Sequence, residues 1–245
     1  MSNQENICII TGGSSGIGAA IVKCFEQNGY RVFNLDLKPG ENGEYVQCDV
    51  SDFNATQKAI ENIIKQSGRV DVLISNAGRH LSANIENTSE KVFDDLIDLN
   101  VKGAFAATQA VLPMMKQQNS GVILYIASDQ ALIAKSNSFA YCLSKHALAA
   151  MAKTTALDYA QFNIRANAIC PGTIETPLYH RAIDAYCKRS GADKQEVHRE
   201  EEALQPIGRL GQPDEVAEYA LFLAGDKASF ITGALQVIDG GYTTG

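Results

Sequence analysis

The sequence predicts a single α/β domain, in which a doubly wound parallel sheet of about seven strands carries helices on both faces. Short runs rich in β-branched residues alternate with longer amphipathic runs along most of the chain. A glycine-rich turn follows the first short run, and no low-complexity linker or internal repeat divides residues 1–245. A chain of 245 residues with 45% hydrophobic content is long enough to bury one full core.

The alternation predicts the position of each element. Strands are expected at Ile7–Ile10, Arg31–Leu35, Tyr45–Gln47, Val70–Ser75, Gly121–Ala127, Ile164–Ile169 and Leu235–Ile238. Apolar residues recur at helical spacing in Ile17–Asn28, Asn54–Gln66, Glu90–Lys116 and Phe139–Gln161. Gly29 stands where the first helix should end in a left-handed turn, and Pro213, followed by Asp214 and Glu215, suits the first turn of a late helix.

The stretch from Thr176 to Leu210 interrupts this alternation between the sixth strand and the last helix, and it is rich in charged residues. We expect it to cover the carboxyl edge of the sheet, where ligands of such folds bind. A mobile substrate lid is predicted, and a rigid excursion held by subunit contacts is the alternative. The apolar residues that could close over a substrate are Leu178, Tyr179, Ile183, Tyr186 and Leu204.

Composition excludes several classes of function. Acidic residues outnumber basic ones by 28 to 21 and no long basic cluster occurs, so no nucleic-acid partner is expected. The sequence shows neither a signal-peptide pattern nor a membrane-spanning run, which predicts no membrane partner and a cytoplasmic location. The six cysteines lack Cys-x-x-Cys spacing, so we expect reduced, mostly packed thiols and no metal site.

The glycine-rich turn runs from Thr11 through Gly12, Gly13, Ser14, Ser15, Gly16 and Ile17 to Gly18, and it leads directly into a predicted helix. Such a turn lets backbone N–H groups approach a pyrophosphate at the positive end of the helix dipole, as in Rossmann-type folds. The alternative is that the glycine-rich turn only connects the strand to the helix and binds no nucleotide. The spacing, Gly-x-x-x-Gly-x-Gly, differs from the commoner Gly-x-Gly-x-x-Gly.

Asp36 ends the second predicted strand, eighteen residues after Gly18. A carboxylate at this position accepts hydrogen bonds from the adenosine ribose and repels a 2′-phosphate. Leu37 follows it and the glycine turn carries no cation, although Lys38 is near. This pattern favours NAD over NADP, whereas a solvated acid at a strand end is the alternative.

Tyr141 and Lys145 lie four residues apart in a predicted helix, so their side chains share one face. An isolated pair of this kind usually marks a solvated face. Ser128 strengthens the catalytic interpretation because it follows the Gly121–Ala127 strand and therefore lies at the same edge of the sheet as the glycine turn.

In this order, the residues resemble the short-chain dehydrogenase/reductase family, and the resemblance extends from Ile7 to Gly241. The turn from Thr11 to Gly18 resembles the family's glycine signature, and Ser128, Tyr141 and Lys145 resemble its active-site serine, tyrosine and lysine. The family's Asn-Asn-Ala-Gly signature resembles Ser75-Asn76-Ala77-Gly78, its helix asparagine resembles Asn100, and its Pro-Gly resembles Pro171-Gly172.

The resemblance implies that Tyr141 exchanges a proton with the substrate, Lys145 lowers the pKa of the phenol, and Ser128 hydrogen-bonds the substrate oxygen. It also implies that Asn100 holds a water linking Lys145 to solvent. A tyrosine pKa of about 10 must fall by about 3 units for base catalysis at neutral pH, and a cation about 4–5 Å away is able to supply most of that shift. The implied cofactor contacts are Gly12, Ser14, Ser15, Gly16, Ile17, Gly18, Asp36, Leu37, Asp49, Val50, Asn76, Ala77, Gly78, Tyr141, Lys145, Pro171, Gly172, Thr173, Ile174 and Thr176.

Three residues depart from the family pattern. Ser75 replaces the first asparagine of the signature, which is expected to alter only local hydrogen bonds. Asp129 follows the serine where a small neutral residue is usual; it is interpreted as a surface acid rather than a group that binds a polar substrate. His80, just past Gly78, is interpreted as a surface or satisfied residue rather than a residue of the pocket mouth.

The leading hypothesis is therefore an NAD-dependent oxidoreductase that transfers a hydride between nicotinamide and a small secondary alcohol or ketone, such as a sugar or a steroid. Thr176-Pro177-Leu178-Tyr179 and Gln205–Arg209 are similar to a branch with 17β-hydroxysteroid and L-fucose dehydrogenases. The alternatives are a 3-oxoacyl-[acyl-carrier-protein] reductase and a non-catalytic nucleotide-sensing protein. The resemblance also implies a homotetramer, in which the two long helices pair through small residues such as Ala104 and Ala150.

Overall fold

A computed structural model describes residues 5–244; Met1–Gln4 and Gly245 of the predicted domain lie outside the described residues. Seven parallel strands form one sheet in the order β3-β2-β1-β4-β5-β6-β7. They are β1 (Asn6–Thr11), β2 (Tyr30–Asp36), β3 (Glu44–Gln47), β4 (Val72–Ser75), β5 (Gly121–Ile126), β6 (Ile164–Pro171) and β7 (Leu235–Ile238). The predicted sheet is confirmed, with boundaries that shift by at most two residues.

Within residues 5–244, eight α-helices connect these strands. They are α1 (Gly16–Gln27), α2 (Phe53–Ser67), α3 (Glu90–Ile97), α4 (Gly103–Gln118), α5 (Phe139–Tyr159), α6 (Pro177–Ser190), α7 (Lys194–Leu204) and α8 (Pro213–Ala224). Gly29 has the positive φ of 81° expected after the first helix. Pro213 begins α8, in which the Glu215 carboxylate accepts a hydrogen bond from the Gln212 backbone N–H.

The helix predicted over Glu90–Lys116 is not continuous. A π-helical turn, Asp98–Lys102, separates α3 from α4. It carries Asn100, whose amide Nδ2 donates to the Arg79 carbonyl at 3.0 Å and to the Ser144 hydroxyl at 3.1 Å, while its Oδ1 accepts from the Arg79 N–H at 3.0 Å. The wider turn accompanies these contacts, which no regular helical periodicity reveals.

Alternate strand residues face two separate cores, as the two-residue period of a strand requires. Ile7 and Ile9 of β1 pack on the side of α2, α4 and α5, whereas Cys8 and Ile10 pack on the side of α1 and α8. The strand order reverses between β1 and β4, so the helices that follow these two strands pack on opposite faces of the sheet. A cleft is expected there in a doubly wound fold.

The charged stretch from Thr176 to Leu210 forms α6 and α7 and holds a small apolar cluster of its own. Tyr179, Ile183, Val197 and Leu210 are the buried members of that cluster, which is separate from both main cores. Among residues 5–244, no helix combines the length and the apolar character needed to cross a membrane.

Candidate active site

A cavity with a volume of about 1230 Å³ lies at the carboxyl edge of the sheet. The segments after β1, β2, β4, β5 and β6 line it on the sheet side, and α6 and α7 cover it. The glycine turn, the Asp36 strand end and the predicted catalytic tyrosine and lysine therefore open into one space.

At one end of the cavity, the glycine turn leads into the N-terminus of α1. Gly12 has a φ of +70°, and a side chain on it would press within 2.9 Å of the Ala77 backbone. Ser15 precedes the helix, but its hydroxyl does not cap it. The first N–H groups of α1 and the Ser15 hydroxyl therefore remain available to an anion.

Ser14 and Gly18 of the turn do not line the cavity, and their contacts stabilise the turn on its far side. The Ser14 hydroxyl donates to the Lys38 carbonyl at 2.6 Å. A Cβ on Gly18 would lie 2.1 Å from the Gly12 carbonyl oxygen, so only glycine lets the helix pack this closely on the turn. Both were predicted as cofactor contacts, and the cavity wall does not include them.

Asp36 lies at the end of β2 with its carboxylate held by backbone donors. Its Oδ2 accepts from the Ser14 N–H at 3.1 Å, and its Oδ1 accepts from the Leu37 N–H at 2.7 Å. Asp36 and Leu37 both line the cavity, and 61% of Leu37 is exposed. Since each carboxylate oxygen has a further lone pair, the group is able to accept hydrogen bonds from a bound diol.

The other predicted cofactor contacts form the walls of the same cavity. The Asn76 amide donates to the Gly12 carbonyl at 2.8 Å and so ties the segment after β4 to the glycine turn. The remaining wall residues are Ser15, Gly16, Ile17, Asp49, Val50, Ala77, Gly78, Pro171, Gly172, Thr173, Ile174 and Thr176. These residues therefore line one cavity, and their contacts with a cofactor remain predictions.

Tyr141 and Lys145 project from α5 into the middle of the cavity. The Lys145 ammonium lies 5.5 Å from the centre of the Tyr141 ring and donates to the Ile126 carbonyl at 2.8 Å. Burial raises the pKa of Tyr141 to about 12, with the Asp129 charge adding to the rise and the Ser128 hydroxyl opposing it. Burial also lowers the pKa of Lys145 to about 8.

The expected lowering of the Tyr141 pKa by Lys145 is absent in the protein alone. The Lys145 ammonium is directed to a backbone carbonyl and is itself desolvated, so burial dominates the pKa of the phenol. A phenolate at neutral pH needs a further positive charge in the cleft.

Asn100 is buried behind the catalytic residues and does not line the cavity. Its contacts with the Arg79 backbone and Ser144 hold the segment after β4 against α5. Asn100 is therefore in a position to fix the tyrosine-bearing helix, and its predicted water remains a prediction.

Asp129 was misinterpreted as a surface acid, and His80, interpreted as a surface or satisfied residue, lies in the cavity wall. Asp129 is only 3% exposed, because its Oδ1 accepts from the Ser128 hydroxyl at 2.6 Å and its Oδ2 pairs with the Lys135 ammonium at 2.8 Å. The His80 ring lies edge-on to the Tyr141 ring at 4.7 Å, and burial, assisted by Lys135 and Lys145, lowers its pKa. All three side chains line the cavity beside Tyr141.

Lys135 itself was not predicted. It follows Asp129 by six residues, a spacing that no regular helix or strand turns into a contact, and its ammonium also lies 4.3 Å from the Tyr242 ring. Within the described residues, no cluster of three or more His, Cys, Asp or Glu side chains is arranged to hold a metal. Four of the six cysteines are buried and all are free.

Comparison with known proteins places the chain among oxidoreductases. A family model described as "Enoyl-(Acyl carrier protein) reductase" matches residues 12–243. Oxidoreductase UcpA of Salmonella typhimurium is 37% identical over 96% of this chain and 93% of its own length. The 3-oxoacyl-[acyl-carrier-protein] reductase FabG of Thermotoga maritima is 35% identical over 98% of this chain and 99% of its own length.

Solved structures agree with this placement. A short chain dehydrogenase family protein from Francisella tularensis superposes with a TM-score of 0.92 at 36% identity, covering 98% of this chain and 100% of that one. The aldohexose dehydrogenase of Thermoplasma acidophilum gives a TM-score of 0.92 at 35% identity, with 99% and 95% covered. Other structures of this fold hold NADP or NADH, so the fold does not decide between the two cofactors. The predicted family is confirmed: the chain belongs to the short-chain dehydrogenase/reductase family of nicotinamide-dependent oxidoreductases that act on alcohols and ketones.

Proposed function

We propose that this protein is an NAD-dependent dehydrogenase of a small, hydroxylated secondary alcohol. The observation that carries the proposal is the meeting, in one cavity, of buried Tyr141 and Lys145 with the glycine turn and the Asp36 strand end. A nucleotide site and an acid/base site that share one cavity suit hydride transfer followed by proton exchange.

The residues of the cavity fit a dinucleotide. The turn at Gly12 tolerates no side chain, the start of α1 offers free N–H donors, and Asp36 can accept hydrogen bonds from a ribose diol. A 2′-phosphate beside the Asp36 carboxylate would bring two negative charges together, and Leu37 offers no compensating cation. When bound, nicotinamide supplies the hydride acceptor or donor.

The protein's own residues handle the proton and the substrate oxygen. Tyr141 is placed to exchange a proton with the carbinol oxygen, and Lys145 supplies a positive charge 5.5 Å from its ring centre. Ser128 lines the same cavity as Tyr141, where its hydroxyl would hold the substrate oxygen near the phenol. Asn100 anchors the Arg79 backbone and Ser144 behind them.

The wall beside Tyr141 favours a polar substrate. Buried Asp129 and Gln130 line it together with half-buried Lys135 and His80, which gives the substrate several donors and acceptors. A steroid would displace water from these groups without offering hydrogen bonds in return, which costs about 1–3 kcal/mol for each polar group that is left without a partner. The likeness to the Thermoplasma aldohexose dehydrogenase supports a sugar or polyol.

A 3-oxoacyl-carrier reductase is the second candidate, because the Thermotoga relative carries that name and is 35% identical over nearly the whole chain. A panel of aldoses, small polyols, hydroxysteroids and a 3-oxoacyl thioester, followed by NADH or NADPH absorbance, separates these activities. We expect turnover of hydroxylated alcohols with NAD. Preferred reduction of the thioester with NADPH would replace the proposal with the second candidate.

Cofactor preference provides a direct binding test. We expect calorimetry to show NADH bound at least about tenfold more tightly than NADPH, which corresponds to about 1.4 kcal/mol. Asp36→Ala should narrow this ratio, mainly by tightening NADPH, because it removes the repulsion of the 2′-phosphate. Glu41→Ala is the matched control, since it removes an exposed carboxylate that does not line the cavity. Equal affinities in the unaltered protein would contradict NAD preference.

A further inference from the structure

Gln130 is a buried, uncharged side chain in the cavity wall, and the proton exchange described above does not use it. It is 6% exposed and lies two residues after Ser128, in the segment that leads from β5 to α5. Its backbone N–H donates to the Ser128 hydroxyl at 3.2 Å, which holds the residue beside the catalytic end of the cavity. A firmly held amide at this place is suited to recognition of the substrate.

The carboxamide of Gln130 is held at its oxygen end. The hydroxyl of Ser138, a residue that is 3% exposed, donates to the Gln130 Oε1 at 2.5 Å. Ser138 directly precedes α5, and a serine at such a position usually accepts a hydrogen bond from a backbone N–H of the first helical turn. The Ser138 hydroxyl makes no such cap and is directed to Gln130 instead. The helix thus lacks a stabilising cap at the residue that fixes the Gln130 side chain.

The nitrogen end of the same carboxamide faces the cavity. Nε2 carries two N–H donors, and no residue in the described range 5–244 accepts from it. The protein nevertheless does not enclose this atom, in contrast to the Nε2 of Gln205, which is fully buried without a partner. Since Gln130 lines the cavity, its two N–H groups are presented to the molecule that occupies that space.

The neighbouring polar groups differ from this amide in what they are able to bind. The Lys135 ammonium already has a partner, the Asp129 carboxylate at 2.8 Å. The His80 ring lies edge-on to the Tyr141 ring at 4.7 Å, and its nitrogens donate or accept according to the tautomer. The Gln130 nitrogen is able only to donate and carries no charge. It therefore selects an uncharged acceptor oxygen, such as that of a hydroxyl, an ether or a carbonyl group.

We propose that Gln130, oriented by Ser138, is a specificity-determining residue that donates a hydrogen bond to a second oxygen of the substrate, on the carbon next to the reacting carbinol. The adjacent carbon is indicated because the Gln130 backbone contacts Ser128, whose hydroxyl would hold the reacting oxygen. The substrate class is a 1,2-diol, or an α-hydroxy ketone in the reverse direction, rather than an isolated secondary alcohol. The inference deepens the proposed function and rests on it for the position of the reacting oxygen.

Binding to the amide is observed by NMR of the full-length protein labelled with ¹⁵N in its glutamine side chains. Q130M identifies the Gln130 signals, and Gln118, whose Nε2 donates to the Val70 carbonyl, is the internal reference. The protein is saturated with NADH or NADPH, whichever binds more tightly, because a reduced cofactor allows no turnover of an alcohol. We expect 2,3-butanediol to shift the Gln130 signals. 2-Butanol, which lacks the second hydroxyl, should leave them as unchanged as those of Gln118.

Kinetics with the matching oxidised cofactor should show the same selection. Q130M has a side chain of similar length without donors, so it should lower kcat/KM for 2,3-butanediol at least about tenfold more than kcat/KM for 2-butanol. S138A keeps the amide but frees its orientation, and it should act in the same direction by about threefold. A purely structural role of either residue would lower both alcohols alike. Q117M is the matched control, because Gln117 is an exposed residue of α4 that does not line this cavity.

Equal shifts of the Gln130 signals by the two alcohols, or no shift by either, would overturn the inference. An equal loss of kcat/KM for both alcohols in Q130M would also overturn it. The NMR result needs no turnover, so a protein that binds the diol at Gln130 and oxidises no alcohol would contradict the proposed function alone. Turnover of aldoses with NAD and no response of Gln130 would contradict this inference alone.

Discussion

At the scale of single residues, Tyr141 carries the proposed chemistry most directly. Tyr141→Phe removes the exchangeable proton and keeps the ring that lies 4.7 Å from His80. We expect turnover to fall by at least about 100-fold, since general acid/base groups contribute about 10²–10⁴-fold. NADH affinity, measured by fluorescence titration, should stay within about threefold. Activity within a few-fold of the unaltered protein would mean that another group exchanges the proton.

Burial of the Lys145 ammonium is expected to lower the free energy of unfolding of the protein. Its folded-state pKa of about 8 lies below the usual lysine value of 10.5, because burial disfavours the ammonium. The folded protein therefore binds fewer protons than the unfolded chain between these pH values, and this contribution to stability rises with pH through that window. Below about pH 8, Lys145 is protonated in both the folded and the unfolded chain, so burial of its charge lowers the free energy of unfolding by the full amount.

Lys145→Met should consequently raise the free energy of unfolding at pH 7 by on the order of 2 kcal/mol while abolishing turnover, after allowance for the lost hydrogen bond to Ile126. Urea denaturation at pH 7 and pH 9.5 measures the effect, and the gain should shrink at the higher pH. Lys153→Met is a matched control, because Lys153 is an exposed residue of the same helix. A loss of stability at pH 7 would contradict the burial argument.

Residues whose roles depend on local spacing were predictable, and residues whose roles depend on a distant partner were not. Tyr141 and Lys145 share a helical face by their separation alone. The burial of Asp129 depends on Lys135, whose approach is set by an irregular segment between β5 and α5. Without that partner, a surface position is the expected place for an aspartate.

At the scale of elements, the strands were predictable because both faces of a parallel sheet are covered, which leaves nearly continuous apolar runs in the sequence. The π-helical turn between α3 and α4 was not, because its apolar spacing continues that of its neighbours. The turn carries Asn100, whose hydrogen bonds reach Arg79 and Ser144, and these groups are distant in sequence.

The α6–α7 segment remains the predicted substrate lid. Its buried residues form a cluster separate from the main cores, so few apolar contacts oppose its opening. Leu178, Tyr186 and Leu204 line the cavity yet are 39%, 46% and 50% exposed, which leaves apolar area for a substrate to cover. Thr176 packs over the glycine turn, since a Cβ on Gly16 would lie 3.4 Å from the Thr176 Cβ.

Hydrogen exchange across residues 177–205 tests the lid. We expect rapid exchange in the protein without ligand and slower exchange when NADH and a substrate analogue are bound, because Thr176 couples the segment to the nucleotide site. Exchange in α2, which does not line the cavity, serves as the internal reference. Strong protection before any ligand is added would favour the rigid excursion held by subunit contacts.

At the scale of the whole molecule, the structure changes which residues of the long helices are able to contact another subunit. Ala104, Ala106, Ala107, Ala149 and Ala152 are buried in the chain's own core and are unavailable to a partner. Leu143, Ala150 and Leu157 are exposed instead, and their seven-residue spacing places them on one outward stripe of α5. Phe105 of α4 is also exposed.

We propose a homotetramer built from two different interfaces, because a second group of exposed apolar side chains lies elsewhere. Phe222 of α8, Phe230 and Val237 of the edge strand β7 are 42%, 103% and 42% exposed. Two self-complementary patches on one chain are what a tetramer with three two-fold axes requires.

Leu157→Arg should break one interface and Phe230→Arg the other, so each variant should be a dimer by light scattering and the double variant a monomer. Lys188→Glu, a charge change at an exposed position of α6 that belongs to neither patch, is the control and should stay tetrameric. A monomeric unaltered protein at micromolar concentration would rule out the tetramer, and loss of both interfaces with one substitution would rule out their independence.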